Sequence, residues 1–123
     1  MQAIDLLELA VKLPMKEVKK NLERLLHVEK NGHLLLLKNE GRTVGYAELY
    51  VMKNAPSYPA VPYPRNEDQG TLLYCFAAVC ERGFIQRLIK MAFDTFPEIN
   101  EIVYHRRKHD NKLYKIARQH VYR

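Results

Sequence analysis

The chain has 123 residues, 47% of them hydrophobic and 28% charged, and its 20 Lys and Arg against 14 Asp and Glu give a formal net charge of +6. A chain of this length buries roughly two-thirds of its unfolded surface, which predicts a single folded domain over 1–123 and excludes general disorder. No apolar run approaches the ~20 residues that span a bilayer, and the N-terminus does not have the pattern of a signal peptide. We therefore expect a cytoplasmic protein with no membrane partner.

Two amphipathic helices are predicted at the N-terminus, over 4–13 and 15–28, within a helical part that spans 3–29. Pro14 ends the first helix, and Asn31-Gly32 is a typical stop for the second. Two extended runs then flank the short segment Lys38–Gly41, which predicts an antiparallel hairpin. The next segment, 53–69, holds four prolines and excludes a core strand or helix.

The C-terminal half begins with a predicted strand over Thr71–Cys80 that is apolar on both faces, as a buried central strand would be. A helix over Arg82–Phe96 and a short strand over Glu101–His105 follow. Asp110 is a good N-cap for a last helix that extends to Arg118. The predicted order is two helices, a hairpin, a long loop, and then strand, helix, strand and helix.

The two cysteines, Cys75 and Cys80, lie five residues apart in one predicted strand. An odd separation places the side chains on opposite faces, so we expect two buried, reduced thiols with no disulfide between them. The five histidines include no His-Glu-x-x-His pair and no paired cysteines at zinc-finger spacing, so we expect no metal site.

The order of elements and three stretches of sequence resemble the GCN5-related N-acetyltransferase (GNAT) family. GRTVGYAELYV is similar to a strand pair of the family, and LLYCFAAVCERGFIQRLIKMAF to the strand, pyrophosphate loop and helix that hold acetyl-coenzyme A. EIVYHRRKHDNKLYKIARQHVYR is similar to the following strand and the Asn…Leu-Tyr helix. The resemblance implies a trimmed α/β fold with a mixed, mostly antiparallel sheet flanked by helices, in which 33–118 form the sheet and the cofactor-type motif.

The resemblance also implies a cofactor site for acetyl-CoA, formed by Cys80, Arg82, Gly83, Phe84, Ile85 and Asn111. The family's loop has Arg or Gln, two residues, Gly, one residue, and then Gly or Ala. Gly83 matches this pattern, whereas Cys80 and Ile85 depart from it. A pyrophosphate must approach backbone N–H groups closely, and a branched side chain at Ile85 hinders that approach. The sequence therefore supports the fold more strongly than it supports binding of the cofactor.

Two residues match the family's catalytic chemistry, in which a base removes a proton from an amine and an acid returns one to the thiolate. Tyr114 is the candidate acid and Glu48 the candidate base. Each has a structural alternative, as does Asn111. Tyr114 could cap the core, Asn111 could cap a helix, and Glu48 could lie on the solvent side of a half-exposed strand.

The partners depend on which function applies. An acetyltransferase would act on an amine or a protein acceptor. A non-catalytic descendant of the fold would dock onto a larger protein assembly through 53–69 and the basic segment 105–118, which contains six of the 20 Lys and Arg. In its short length and basic charge, more than in any motif, the chain resembles compact GNAT-like proteins of tailed bacteriophages that act in virion assembly. Nucleic-acid binding by the run His105–His109 is a third alternative, and a solvated turn is a fourth.

Overall fold

The computed structural model describes residues 18–57, 64–106 and 109–122. The predicted helix over 4–13 lies outside them. The elements are α1 (Val18–Asn31), β1 (His33–Asn39), β2 (Arg42–Met52), β3 (Leu72–Cys80), α2 (Ile85–Thr95), β4 (Glu101–Arg106), β5 (Lys112–Ala117) and α3 (Arg118–Val121).

The five strands form one sheet in the order β1-β2-β3-β4-β5. β3 and β4 are parallel, and the other three pairs are antiparallel, which confirms the predicted mixed, mostly antiparallel sheet. α1 packs on one face, where Leu25 contacts Tyr46, and α2 packs on the other, where Phe93 joins Leu49 in the larger core cluster. The sheet therefore has an α1 face and an α2 face.

The first hairpin follows the sequence closely. α1 ends at Asn31, and the N–H of Gly32 donates to the carbonyl of Val28 at 2.7 Å. Glu40 and Gly41 connect β1 to β2 with φ values of 53° and 78°. Two successive positive φ values are typical of the mirror-image turn that fits the twist of a hairpin.

β3 contains a bulge at Phe76. Glu48 on β2 pairs with Ala77, whereas the next residue, Leu49, pairs with Cys75. One extra residue in a strand reverses the alternation of side chains. Cys75 and Cys80 consequently pack against the same core cluster, so the prediction of opposite faces is wrong, although both are free thiols.

The prediction of a helix from Asp110 to Arg118 is also wrong. Residues 112–117 form β5, which pairs with β4 over six residues, and the four-residue α3 begins at Arg118. Asp110 and Asn111 have φ values of 53° and 58°, and the N–H of Asn111 donates to the carbonyl of Arg106. They form the turn between two strands and do not cap a helix.

The end of the long loop is bonded to the edge of the sheet. The N–H of Glu67 donates to the carbonyl of Val51, and the N–H of Val51 donates to Oδ1 of Asn66. Asn66 also donates from Nδ2 to Nε2 of His33, the first residue of β1. We call 64–67 the strap, because it lies alongside the end of β2 that β1 does not cover.

Candidate functional site

The candidate site lies where β3 and β4 part. The two parallel strands pair through Leu72–Tyr74 and Glu101–Val103. β3 then continues to Cys80 and β4 to Arg106. The second half of β3 is therefore more exposed than the first. The prediction of a strand buried on both faces is correct for Leu72–Tyr74, but it is wrong for the residues of β3 that follow.

A cavity of about 340 Å³ fills the opening between the parting strands. Its floor is on the α2 face and includes Leu49, Leu88 and Ile102. Phe76, which packs with the α1-face cluster, and His105, which bonds to Tyr74 of that cluster, also line it. The cavity therefore lies between the two strands, with most of its lining on the α2 face.

The N-terminus of α2 lies at the mouth of the cavity. Ile85, its first residue, lines the cavity and is 46% exposed. The first hydrogen bond within the helix runs from the N–H of Leu88 to Phe84, and Phe84 contributes no side-chain cap. The N–H groups of the three preceding residues thus point out of the helix end, where the helix dipole favours an anion.

The loop before α2 is held in place from the hairpin side. Glu81 donates its N–H to the carbonyl of Val44, and its carboxylate forms an ion pair with Arg42. Gly83 follows with a φ of 94° and open space around the position of a Cβ. Arg82 is exposed. A fixed glycine-containing loop, an arginine and an open helix end are groups that can bind a phosphate.

Glu48 is a fully buried carboxylate on the α1 face, so a position on the solvent side of a strand is wrong for it. Its Oε1 accepts a hydrogen bond from Nε of Arg24 at 3.1 Å, and its Oε2 has no hydrogen-bond partner among the described residues. Burial raises the pKa of Glu48 to about 7, and the opposing effect of Arg24 is smaller. Glu48 pairs with Ala77, which lines the cavity, but Glu48 is not itself among the lining residues.

Tyr114 lies on the other face. It pairs with Tyr104 across β4 and β5, and the two rings stack with centroids 5.7 Å apart. Tyr104 lines the cavity, whereas the hydroxyl of Tyr114 bonds to Nδ1 of His109. The rings of Tyr104 and Tyr114 follow Ile102 on the α2 face, so the sheet separates Tyr114 from Glu48.

The predicted site residues therefore fall into four places. Residues 80–85 lie together in the loop and the start of α2. Asn111 lies in the turn after β4, which is at the same end of the sheet because the carboxyl ends of parallel strands share an edge. Glu48 and Tyr114 are each next to a cavity residue but on opposite faces.

Three cavity residues that carry chemistry were not among the predicted cofactor or catalytic residues. Cys75 lines the cavity, and burial raises the pKa of its thiol to about 12. Tyr104 and His105 lie near the end of β4, and Nδ1 of His105 is 2.8 Å from the hydroxyl of Tyr74. Burial lowers the pKa of His105. For Tyr104 and His105, the available signal was a place at the carboxyl end of a parallel strand, where ligands bind in open α/β sheets.

Two further features bear on the class of site. Within 18–57, 64–106 and 109–122, no group of three or more His, Cys, Asp or Glu could hold a metal ion. Helices in the same ranges are all too short or too polar to cross a membrane.

Among solved structures, GphF, described as a GNAT-like decarboxylase in complex with isobutyryl-CoA, matches with a TM-score of 0.58 at 14% identity, over 85% of this chain and 63% of that one. This chain has a GNAT-like fold. The GNATL loading domain of CurA from Lyngbya majuscula matches with a TM-score of 0.48 at 14% identity, over 87% of this chain and 61% of that one. The chain thus spans less than two-thirds of the length of either GNAT-like protein. No protein family and no curated protein matches the sequence.

Proposed function

We propose that the protein binds a coenzyme A thioester in the opening between β3 and β4 and transfers its acyl group, acetyl in the simplest case, to an amine. The observation that carries this proposal is the position of the cavity, which lies between two parting parallel strands with an uncapped helix N-terminus at its mouth. The GNAT-like fold supports it, since GphF is described in complex with isobutyryl-CoA.

The residues present fit such a cofactor. The N–H groups at the start of α2, with Gly83 and Arg82 before them, would hold the pyrophosphate, and the apolar cavity would hold the thioester end. Asn111 and Arg106, across the opening, would contact the cofactor arm. When bound, the thioester supplies an activated acyl carbon and a thiol leaving group.

Glu48 is the proposed base. A carboxyl whose pKa is about 7 is partly ionised at neutral pH, and because Oε2 is buried, Glu48 would accept the amine's proton through a relayed water and not by direct contact. Tyr114 is the proposed acid, because it lies on the cavity face and stacks on Tyr104. The sheet separates these two residues, so the proton taken from the amine and the proton given to the thiolate would be exchanged on opposite faces of the sheet.

A second function is favoured by one observation, the exposed and branched Ile85 at the mouth of the cavity. A non-catalytic protein of this fold, such as a virion or assembly protein, would dock onto a larger assembly through 53–69 and 105–118. It would have no need for a close approach of phosphate to the backbone at Ile85.

Thermal unfolding with and without acetyl-CoA tests the first function. A ligand at 100 times its Kd stabilises the fold by about 2.7 kcal/mol, which shifts the Tm of a domain of this size by at least about 5 °C. Gly83→Ala should abolish the shift, because an L-residue at this φ strains the loop. Gly41→Ala is a matched control, since Gly41 also has a positive φ and open space around its Cβ position. No shift in the wild-type protein would overturn the proposal.

A further inference from the structure

The depth of the cavity points to the class of acyl group. The lining runs along α2 from Ile85 at the mouth to Ala92 near its floor. Seven residues of helix correspond to ~10 Å. An acetyl group extends by one carbon–carbon bond of ~1.5 Å beyond its carbonyl carbon, so acetyl leaves most of this depth unfilled.

The chemistry of the lining changes along the cavity. Towards the mouth it includes Arg106 and His105, whereas the floor is formed by aliphatic side chains from three strands and α2, namely Ala47, Leu49, Ile102, Ile116, Leu88 and Ala92. Two of the floor residues, Ala47 and Ala92, are alanines, the smallest side chains of the lining. An apolar floor beneath a basic mouth matches a hydrocarbon chain attached to an anionic carrier.

We infer that the preferred substrate is a thioester with an aliphatic acyl chain of about six carbons, whose carbonyl lies in the opening and whose chain extends under α2. This inference rests on the proposed function. A chain of that length spans most of the ~10 Å between mouth and floor. Burial of each additional methylene favours binding until the chain reaches the floor.

Isothermal titration with CoA, acetyl-CoA, butyryl-CoA, hexanoyl-CoA and dodecanoyl-CoA tests this inference on the wild-type protein. Each buried methylene should lower the Kd by up to about fourfold, so hexanoyl-CoA should bind on the order of 100-fold more tightly than acetyl-CoA. Dodecanoyl-CoA should gain nothing further. Equal Kd values across the series, or weaker binding of the longer chains, would overturn the inference while leaving the proposed function intact. Failure of every compound to bind would overturn the proposed function itself.

Filling the floor provides a second test. Ala92→Leu places a larger side chain in the cavity, keeps a residue of good helix propensity, and should cost hexanoyl-CoA at least tenfold in affinity while acetyl-CoA changes less than about threefold. Ala55→Leu makes the same chemical change on the α1 side and should alter neither Kd. If Ala92→Leu does not fold, Ala47→Val serves the same purpose from β2. Equal losses for both thioesters in a folded variant would contradict the inference.

Discussion

Arg24 on α1 and Glu48 on β2 form an ion pair beneath the helix, with Nε and Oε1 3.1 Å apart and the carboxylate fully buried. The arginine satisfies one carboxylate oxygen and does not fully offset the cost of burying the charge, since the pKa of Glu48 is raised to about 7. This carboxyl makes the stability of the fold depend on pH, independently of any ligand.

Whether the fold gains or loses stability with pH depends on the pKa of Glu48 in the folded and the unfolded protein. Glu48 titrates near 4.5 when unfolded and near 7 when folded, so between these values the folded state holds the extra proton. The free energy of unfolding should therefore fall by about 3 kcal/mol between pH 4.5 and pH 7. Glu48→Gln should remove this fall, as measured by urea unfolding at pH 4.5 and pH 8. Glu23→Gln, at an exposed position of α1, should leave it unchanged, and identical pH profiles for wild type and Glu48→Gln would contradict the assignment.

The strap should loosen in acid. The Oδ1 of Asn66 accepts from Val51, so its Nδ2 must donate, and Nε2 of His33 must be the unprotonated acceptor. Burial also lowers the pKa of His33 from 6.5. Protonation of His33 removes the acceptor, so the stability contributed by this contact is present above pH 6.5 and is lost as the pH falls below it.

Hydrogen exchange of the Glu67 amide, which donates to Val51, measures this loosening. Its protection should decrease between pH 7 and pH 5 beyond the intrinsic pH dependence of exchange. His33→Gln should make the corrected protection independent of pH over this interval, whereas His120→Gln, at an exposed position, should not. A corrected protection in the wild type that stays constant would exclude the histidine as the cause.

Arg118 should be a major contributor to stability. Its guanidinium donates to the carbonyls of Ile99, Phe93 and Phe96 at 2.6 to 3.0 Å, and thereby satisfies the C-terminal end of α2. Arg118→Ala should lower the free energy of unfolding by about 3 kcal/mol, because three carbonyls lose a charged donor. Arg118→Lys should lose less, since its ammonium can reach one or two of them. Urea unfolding measures the stability of both variants. If Arg118→Lys is as stable as the wild type, a positive charge is sufficient and the planar guanidinium is not needed.

Ile85 should limit cofactor affinity. Truncation to Ala exposes the helix N-terminus and should lower the Kd for CoA by about tenfold, as one additional charge-assisted hydrogen bond would. Leu26→Ala removes a similarly exposed aliphatic side chain from α1 and should leave the Kd unchanged. An unchanged Kd in Ile85→Ala would mean that this residue does not occupy the place of the small residue in the pyrophosphate loop.

Local signals explain what the sequence could predict. α1 follows from its apolar spacing, and the first hairpin from a glycine in a short turn. β5 was mistaken for a helix because Leu113, Ile116 and Ala117 also fit helical spacing over a short window. Its pairing with β4, which decides the matter, depends on contacts between separate segments.

The candidate site was predictable to a smaller extent for the same reason. The loop at Gly83 is marked by its glycine, but the cavity arises from the divergence of two strands, which no single segment encodes. The burial of Glu48 likewise depends on Arg24 and α1, more than 20 residues away in the chain. Tyr104 and His105 line the cavity because β4 diverges from β3 beside it.

The bulge at Phe76 links the two halves of the site. Because of the one extra residue, Ala77 shares a face with Glu48, while Cys75 stays on the face of Leu49. In a β3 without the insertion, each residue from Ala77 to Cys80 would exchange sides, and Cys80 would turn away from the core that it now contacts. A single-residue deletion there would therefore turn every side chain between the bulge and the loop before α2 to the opposite face, so relatives of this chain should vary in the residues of β3 more freely than in their number.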